Sequence, residues 1–181
     1  MDALAIAVLL GALAGDGDAV ARGRQLYRTG TSTHGVVLEA RIVGAEPLPA
    51  TSMPCATCHG LDGAGGVEGG LRVPDLRPAR LAAPYGTRDP RAGGRWRPAY
   101  DARALAAAIE SGVDPAGRAL DPAMPRYVLG DAERADLLAY LAVLGNDPGP
   151  GVTEDEVRLG ALLPLSGPAA ARGRAVQALL E

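Results

Sequence analysis

Two cysteines at positions i and i+3, followed at once by a histidine, are the residues of this sequence most able to do chemistry. They stand in the pentapeptide Cys55-Ala56-Thr57-Cys58-His59, and the chain has no other cysteine. Two thiols at this spacing can add to the two vinyl groups on one edge of a porphyrin, and the next histidine then presents a ring nitrogen to the iron. The motif predicts a covalent haem c, with Cys55 and Cys58 as thioethers and His59 as an iron ligand.

A redox-active disulfide and a zinc site are the alternatives for the same cysteines. A disulfide between Cys55 and Cys58 would be a redox motif of the thioredoxin kind, but it gives the adjacent His59 no role. A zinc site needs further cysteine or histidine ligands, and His34 is the only other such residue in the chain. Both alternatives are therefore less favoured than haem.

The haem iron would take its second axial ligand from Met53, Met124 or His34, or from no side chain at all. Met53 lies two residues before the first cysteine and cannot easily reach the opposite haem face. Met124 lies in the stretch 121–127, where flanking prolines hold the chain extended, so it can present its sulfur across a haem face. Packing in the core is the alternative role for this methionine. We favour Met124 as the ligand, because its lone position between two prolines, with no helical neighbours, argues against a core role. A histidine and methionine pair would raise the reduction potential and leave no open coordination position.

The composition describes a chain that can bury a core but has few aromatic side chains. Of 181 residues, 48% are apolar and only 3% are aromatic, and phenylalanine is absent. We expect alanine, leucine, valine and glycine to do most of the packing, and a flat apolar cofactor would fill an otherwise small core. The net charge of −3 argues against nucleic acid as a partner, because phosphate binding depends on clustered lysine and arginine.

The N-terminal residues 1–14 form a short apolar run that ends in Ala12-Leu13-Ala14, a pattern typical of signal peptidase sites. Asp2 is the only charge in it, so the usual positive charge before such a run is missing, and an ordinary buried helix is the alternative. The run is too short to span a membrane, which takes about 20 apolar residues. We therefore predict a signal peptide at 1–14, export to the periplasm and no stable membrane insertion.

Three helices are predicted around the motif, each with an aspartate at its start that can cap the backbone. Apolar residues recur at helical spacing in all three. The helices cover residues 18–27, 101–111 and 131–144. Between the first helix and the motif, residues 35–43 are predicted to form an extended strand or hairpin, while the glycine-rich residues 60–70 are predicted to form a tight loop.

The C-terminal residues have a different character. After a linker rich in proline and glycine, residues 157–165 form a near-continuous apolar run, which is typical of a strand in a parallel sheet covered on both faces. A helix is predicted at 169–181. One strand and one helix cannot bury their own faces, so the sequence predicts an isolated β-α unit from an incomplete α/β domain.

The haem motif, the methionine loop and the closing helix together resemble a class I cytochrome c with one haem. The resemblance covers residues 18–146. It rests on Gly23-Arg24-Gln25-Leu26-Tyr27, Cys55 to Gly60, Met124-Pro125 and Leu137-Leu138-Ala139-Tyr140-Leu141. It implies an all-α fold, in which a helical domain surrounds one covalent haem.

Two structural roles follow from the resemblance. The first and last helices of the family cross at close range, and Gly23 and Tyr140 occupy the matching positions. A proline after the haem motif offers its carbonyl to the second ring nitrogen of the axial histidine, which would fix the ring orientation of His59. Pro74 is the first candidate for this proline, and Pro78 is the second.

Two segments depart from the compact family pattern. Residues 31–53, named here the insert, lengthen the connection between the first helix and the motif and would form an inserted hairpin or flap. Residues 72–99, rich in arginine, proline and glycine, are predicted to be irregular. Either segment could dock a redox partner. Arg95, Arg97 and Arg126 could neutralise haem propionates, although solvated surface positions are at least as plausible for each.

Residues 158–170 resemble the opening strand and turn of a periplasmic solute-binding protein of the branched-chain amino-acid type. This resemblance implies that residues 157–181 are the first strand and helix of a truncated solute-binding domain. A linker at 147–156 would join that domain to the cytochrome domain. The ligand-binding residues of such a domain would lie mostly beyond residue 181.

These observations together predict a periplasmic one-electron carrier rather than an enzyme. Its partners would be a periplasmic dehydrogenase as donor and an oxidase or another cytochrome as acceptor. The alternative is a sensory or regulatory module in which the haem state is coupled to a solute-binding domain. A haem enzyme has little support, because the sequence offers neither an open iron position nor an acid–base pair.

Overall fold

The computed structural model describes residues 17–86, 96–146 and 155–180. The chain divides after residue 147 into two compact units, which are taken separately. The predicted signal peptide at 1–14 and most of the predicted linker at 147–156 lie outside the described residues.

The first unit combines helices with short strands. Its helices are α1 (Gly17–Thr29), α2 (Cys55–His59), α3 (Pro78–Leu81), α4 (Ala102–Glu110) and α5 (Asp131–Leu141). Its strands are β1 (Glu39–Arg41), β2 (Leu48–Pro49), β3 (Gly66–Glu68), β4 (Leu71–Val73) and β5 (Arg126–Val128). Strand β1 lies between β2 and β5 in an antiparallel sheet, and β3 and β4 form an antiparallel hairpin.

The three predicted helices are confirmed as α1, α4 and α5. The Asp101 carboxylate caps α4 by accepting from the backbone N–H of Ala104 at 2.7 Å. Helix α5 ends at Leu141, earlier than predicted, and its N-cap is Gly130 rather than Asp131.

The predicted all-α class is incomplete, because the structure contains two small sheets as well. The strand or hairpin predicted at 35–43 contains β1, but its main partner is β5, which follows Met124 in the sequence. Strands of three residues are too short to show an alternation of apolar and polar residues, and the sequence near β1 does not indicate that its partner is β5. The glycine-rich loop at 60–70 likewise leads into the β3–β4 hairpin.

Helices α1 and α5 cross at Gly23, as the resemblance implied. A Cβ atom built on Gly23 would lie 1.9 Å from the Asp136 carbonyl oxygen and 2.8 Å from the Tyr140 Cβ. Beside the crossing, the rings of Tyr27 and Tyr140 lie 5.4 Å apart at a tilt of 59°. The absence of a side chain at position 23 therefore lets the two backbones approach, and the tyrosines fill the adjacent space.

Tyrosines contribute more to the core than the low aromatic content suggested. Tyr27, Tyr100, Tyr127 and Tyr140 are all buried, together with leucines from every long helix of the first unit. By contrast, Tyr85 is 61% exposed. The few rings of the chain are thus concentrated where helices and strands meet.

Polar contacts fasten the insert to α1 and α5. The buried carboxylate of Asp136 accepts hydrogen bonds from Arg22 Nε and Nη2, each at 2.9 Å, and His34 Nε2 lies 2.7 Å from it. Ser32 donates to the buried carboxylate of Glu133 at 2.8 Å. Although burial by itself would raise the pKa of Asp136, the hydrogen bonds from Arg22 and His34 outweigh it and hold this pKa below its usual value.

The second unit contains helix α6 (Ala170–Leu180), which confirms the predicted C-terminal helix. The strand predicted at 157–165 is not formed, since this stretch has only Val157 as a bridge residue. A strand requires a neighbour for its backbone groups, and the described residues supply none for the rest of this run. Most of its apolar side chains are therefore exposed, with Leu159 at 91%, while Leu163 is half-buried.

In the parts of the chain that the structure describes, no helix has the length and apolar composition needed to cross a bilayer.

Replacing Gly23 by alanine should destabilise the holoprotein by about 1–3 kcal/mol, because the new methyl group overlaps the α5 backbone. Denaturant unfolding followed by circular dichroism measures this. Gly17→Ala in the same helix is the matched control, since a Cβ there meets no atom within 4 Å. Equal unfolding midpoints for the two variants would contradict the crossing.

Asp136→Asn should cost about 1–3 kcal/mol at pH 7, because it removes the charge that pairs with Arg22. The depressed pKa of Asp136 stabilises the fold above the unfolded-state pKa, and this contribution is lost as pH falls through the folded-state pKa. The difference from the wild type should therefore shrink in acid, in unfolding curves measured across pH. Asp131→Asn, at a fully exposed carboxylate on α5, should change little at either pH.

Candidate functional site

The pentapeptide motif forms the five-residue helix α2, which begins after Pro54 in extended conformation. Residues at i and i+3 share one face of a helix, so the Cys55 and Cys58 side chains point to the same side. Both cysteines are half-buried and unpaired, hence they are not linked in a disulfide. Burial raises the pKa of the Cys55 thiol to about 11, which keeps this thiol protonated before any bond to a cofactor is made.

His59 is buried at the end of α2, and its Nδ1 lies 3.0 Å from the Pro74 carbonyl oxygen. A carbonyl oxygen can only accept, so Nδ1 carries the ring proton and Nε2 keeps its lone pair for a metal. Burial lowers the pKa of His59, against the opposing effect of the bond to Pro74, and this favours the neutral imidazole. The side chain is therefore held in the protonation state and tautomer of an iron ligand.

The hairpin β3–β4 brings the Pro74 carbonyl to His59. Gly65 turns the chain at a φ of +69°, and its N–H donates to the His59 carbonyl at 2.9 Å. A Cβ atom on Gly65 would lie 2.4 Å from the Val73 carbonyl and 2.6 Å from that of Pro74. The second candidate, Pro78, is the first residue of α3, and its carbonyl accepts from Ala82 in that turn.

Two buried tyrosines hold α2 at its two ends. The Tyr27 hydroxyl donates to the Gly60 carbonyl at 2.8 Å, directly after His59. The Tyr127 hydroxyl donates to the Met53 carbonyl at 2.5 Å, two residues before the motif. Burial raises the pKa of both tyrosines, so the hydroxyls remain protonated and able to donate.

The Tyr127 contact was missed in the sequence because no local pattern links this residue to Met53. Tyr127 is the buried residue of strand β5, three residues after Met124, and this becomes visible only once the strand pairing is known. The role of Gly65 was hidden for a similar reason, since several glycines of the 60–70 loop have positive φ angles and only some of them approach other backbone atoms.

Met124 is half-buried and ends a tight turn begun by Asp121. The Asp121 carboxylate accepts from the Ala123 N–H at 2.9 Å, and its carbonyl accepts from the Met124 N–H at 3.1 Å. The Arg126 guanidinium donates to the Met124 carbonyl and, at 3.3 Å, to the Asp121 carbonyl. Gly112 leaves the space that this guanidinium occupies. The loop around Met124 is thus fixed by its own neighbours.

The other two candidates for the axial ligand, His34 and Met53, each contact a residue outside the Met124 turn. His34 is joined through Nε2 to Asp136 and lies in the insert. Met53 is half-buried, and its carbonyl is bound by Tyr127.

Two of the arginines suggested for haem propionates, Arg97 and Arg126, donate to backbone carbonyls. Arg97 donates to the carbonyls of Arg80, Ala83 and Pro98, and its guanidinium lies 4.5 Å from the centre of the Tyr100 ring. Arg126 donates to the Met124 carbonyl. Arg95 lies outside the described residues.

The donor set fits a covalent haem better than a bare metal ion. It combines two unpaired thiols on one helix face with a neutral histidine whose Nε2 is free for iron, on a half-buried surface. Among the residues described, no three or more His, Cys, Asp or Glu side chains are grouped so that they could hold a metal ion. Cys55 and Cys58 would hold the porphyrin, and His59 would ligate its iron.

Comparison with known proteins gives one match. A family model described as cytochrome c matches residues 49–145, which is more than half of the chain and includes α2, the Met124 loop and α5. No curated protein and no solved structure matches the chain.

Gly65→Ala should weaken the bond between His59 and Pro74, because its methyl group would push the β4 end away from α2. A less basic imidazole favours ferrous iron, so the reduction potential of the holoprotein should rise and its unfolding midpoint should fall. Gly69→Ala is the matched control, since it has the same positive φ strain but no atom within 4 Å of the new methyl. Identical potentials for the two variants would refute this role of Gly65.

Proposed function

The chain belongs to the cytochrome c family and is a haem c-binding electron-transfer module, and we propose that it carries single electrons in the periplasm with His59 and Met124 as axial ligands. When bound, the haem iron supplies a couple that takes up and releases one electron, and a methionine sulfur opposite a histidine raises its potential. The chain's own residues attach and orient this group and exclude water from it.

The bond between His59 Nδ1 and the Pro74 carbonyl carries the proposal. It keeps the proton on Nδ1, so that Nε2 stays available to iron in a fixed ring orientation. The two cysteines on the same face of α2 complete the attachment.

Met124 is favoured over the other candidates by its surroundings. His34 is engaged by Asp136 in the insert, and Met53 precedes the motif on the side of the proximal histidine. Met124 instead ends a turn in which the Arg126 guanidinium donates to the Met124 and Asp121 carbonyls and the Met124 N–H donates to the Asp121 carbonyl. A rigid loop supports a weak thioether ligand, because little entropy is lost when the bond forms.

Two protein ligands on the haem iron favour electron transfer over enzymatic catalysis. With histidine and methionine both bound, the iron has no position for oxygen, peroxide or another substrate. The partners proposed are a periplasmic dehydrogenase as donor and an oxidase or another cytochrome as acceptor. The apolar run at 1–14 supports export to the periplasm.

A second candidate function is a haem module coupled to a solute-binding domain. The exposed apolar run at 157–165 favours it, because such a run is buried when further strands flank it. If the cytochrome forms part of such a protein, its reduction potential should shift when the solute binds to the full-length chain. A potential that is insensitive to branched-chain amino acids and related solutes would remove this candidate.

Met124→Ala should abolish the far-red absorption band that marks ferric iron bound to a methionine sulfur, and it should lower the reduction potential. The protein is matured with the cytochrome c assembly machinery, and mass spectrometry first establishes that one haem is attached. Met53→Ala is the matched control and should keep both the band and the potential. Loss of the band in Met53→Ala alone would assign the ligand to Met53 and contradict the proposal.

A further inference from the structure

The insert, residues 31–53, forms part of the support of the Met124 loop. Its strand β1 pairs with β5, in the register Glu39 to Val128, Ala40 to Tyr127 and Arg41 to Arg126. Strand β5 begins two residues after Met124. The backbone that presents the methionine is therefore continuous with a strand held by the insert.

Two parts of the insert hydrogen bond to each other, and the insert packs against the C-terminal end of α1. The Ala50 N–H donates to the Leu38 carbonyl at 2.8 Å, and both residues are buried. Gly30 follows α1 and lies so close to the insert that a Cβ on it would come within 2.2 Å of the Ala50 carbonyl. Ala40, opposite Tyr127 in the register, is fully buried. The inner side of β1 thus belongs to the core.

Tyr127 connects this sheet to the haem-attachment helix. Its backbone lies in β5, while its hydroxyl donates to the Met53 carbonyl, two residues before Cys55. The residue therefore joins the segment that carries Met124 to the segment that carries the cysteines. These two segments must keep a fixed separation if both are to engage one cofactor.

The far side of the insert is tied to α5. Ser32 binds Glu133, and His34 binds Asp136, which also pairs with Arg22. Helix α5 begins three residues after β5 ends, so the insert contacts both the strand and the helix that follow the Met124 loop. Both contacts lie on the C-terminal side of that loop, where they fix the backbone that leaves it.

We propose that the insert is a brace that keeps Met124 in place, with Tyr127 as its positioning residue. This inference rests on the proposed axial role of Met124. It gives the additional residues between α1 and α2 a task within the site itself, in place of the docking role suggested by the sequence. Loosening the brace should make the methionine easier to displace from the iron while His59 and both thioethers stay in place.

Imidazole competition tests this directly on the ferric holoprotein, because imidazole displaces a weakly held methionine and abolishes its far-red band. Tyr127→Phe keeps the ring but loses the hydroxyl bond to Met53, and the imidazole concentration for half-displacement should fall about tenfold. Tyr85→Phe is the matched control, since Tyr85 is exposed and remote in sequence from both segments. Its half-displacement concentration should equal that of the wild type.

His34→Ala provides a second variant that leaves the core rings intact. It removes a contact between the insert and α5, and the half-displacement concentration should fall in the same direction. A merely structural role for Tyr127 and His34 would lower the unfolding midpoint without changing imidazole displacement, and that result would overturn the inference. A wild-type protein with no methionine band would overturn the proposed ligation itself, so the two failures are distinguishable.

Discussion

The haem-attachment helix α2 has only five residues, and a helix of that length is not stable in water by itself. Its geometry therefore depends on contacts made by distant parts of the chain. Tyr27 binds the carbonyl after the helix, Tyr127 binds a carbonyl before it, and Pro74 fixes the histidine ring. Pro74 follows the β3–β4 hairpin, Tyr27 lies at the crossing of α1 and α5, and the Met53 carbonyl that Tyr127 binds lies in the insert. The position of this small helix therefore depends on three other parts of the first unit.

The chain meets this demand with few aromatic residues because it uses tyrosine in two ways. The buried rings of Tyr27 and Tyr127 fill the core, while their hydroxyls donate to the carbonyls of Gly60 and Met53 on either side of α2. Phenylalanine could supply the packing but not the hydrogen bonds. The absence of phenylalanine is thus compatible with a well-defined site.

Three buried carboxylates in the described part of the chain hold segments or turns in place. Asp136 links α1, the insert and α5, and Glu133 adds a neighbouring contact to the insert. Asp114, also buried, organises the turn before the Met124 loop by accepting from the backbone N–H groups of Ala116 and Arg118. Removing one partner from such a set leaves a buried charge unpaired, so these residues make the positions of the loops specific.

The chemistry of the site could be predicted from local sequence: the spacing of Cys55, Cys58 and His59 indicates covalent haem, and apolar residues at helical spacing predict the helices around it. Both signals are local, because they depend on bonds and contacts within a few residues of one another. The pairing of β1 with β5, the bond from Tyr127 to Met53 and the lack of a strand at 157–165 became known from the fold alone. These features depend on which distant backbone groups become neighbours, and hydrogen bonds between segments far apart in the chain have no period that a sequence can display.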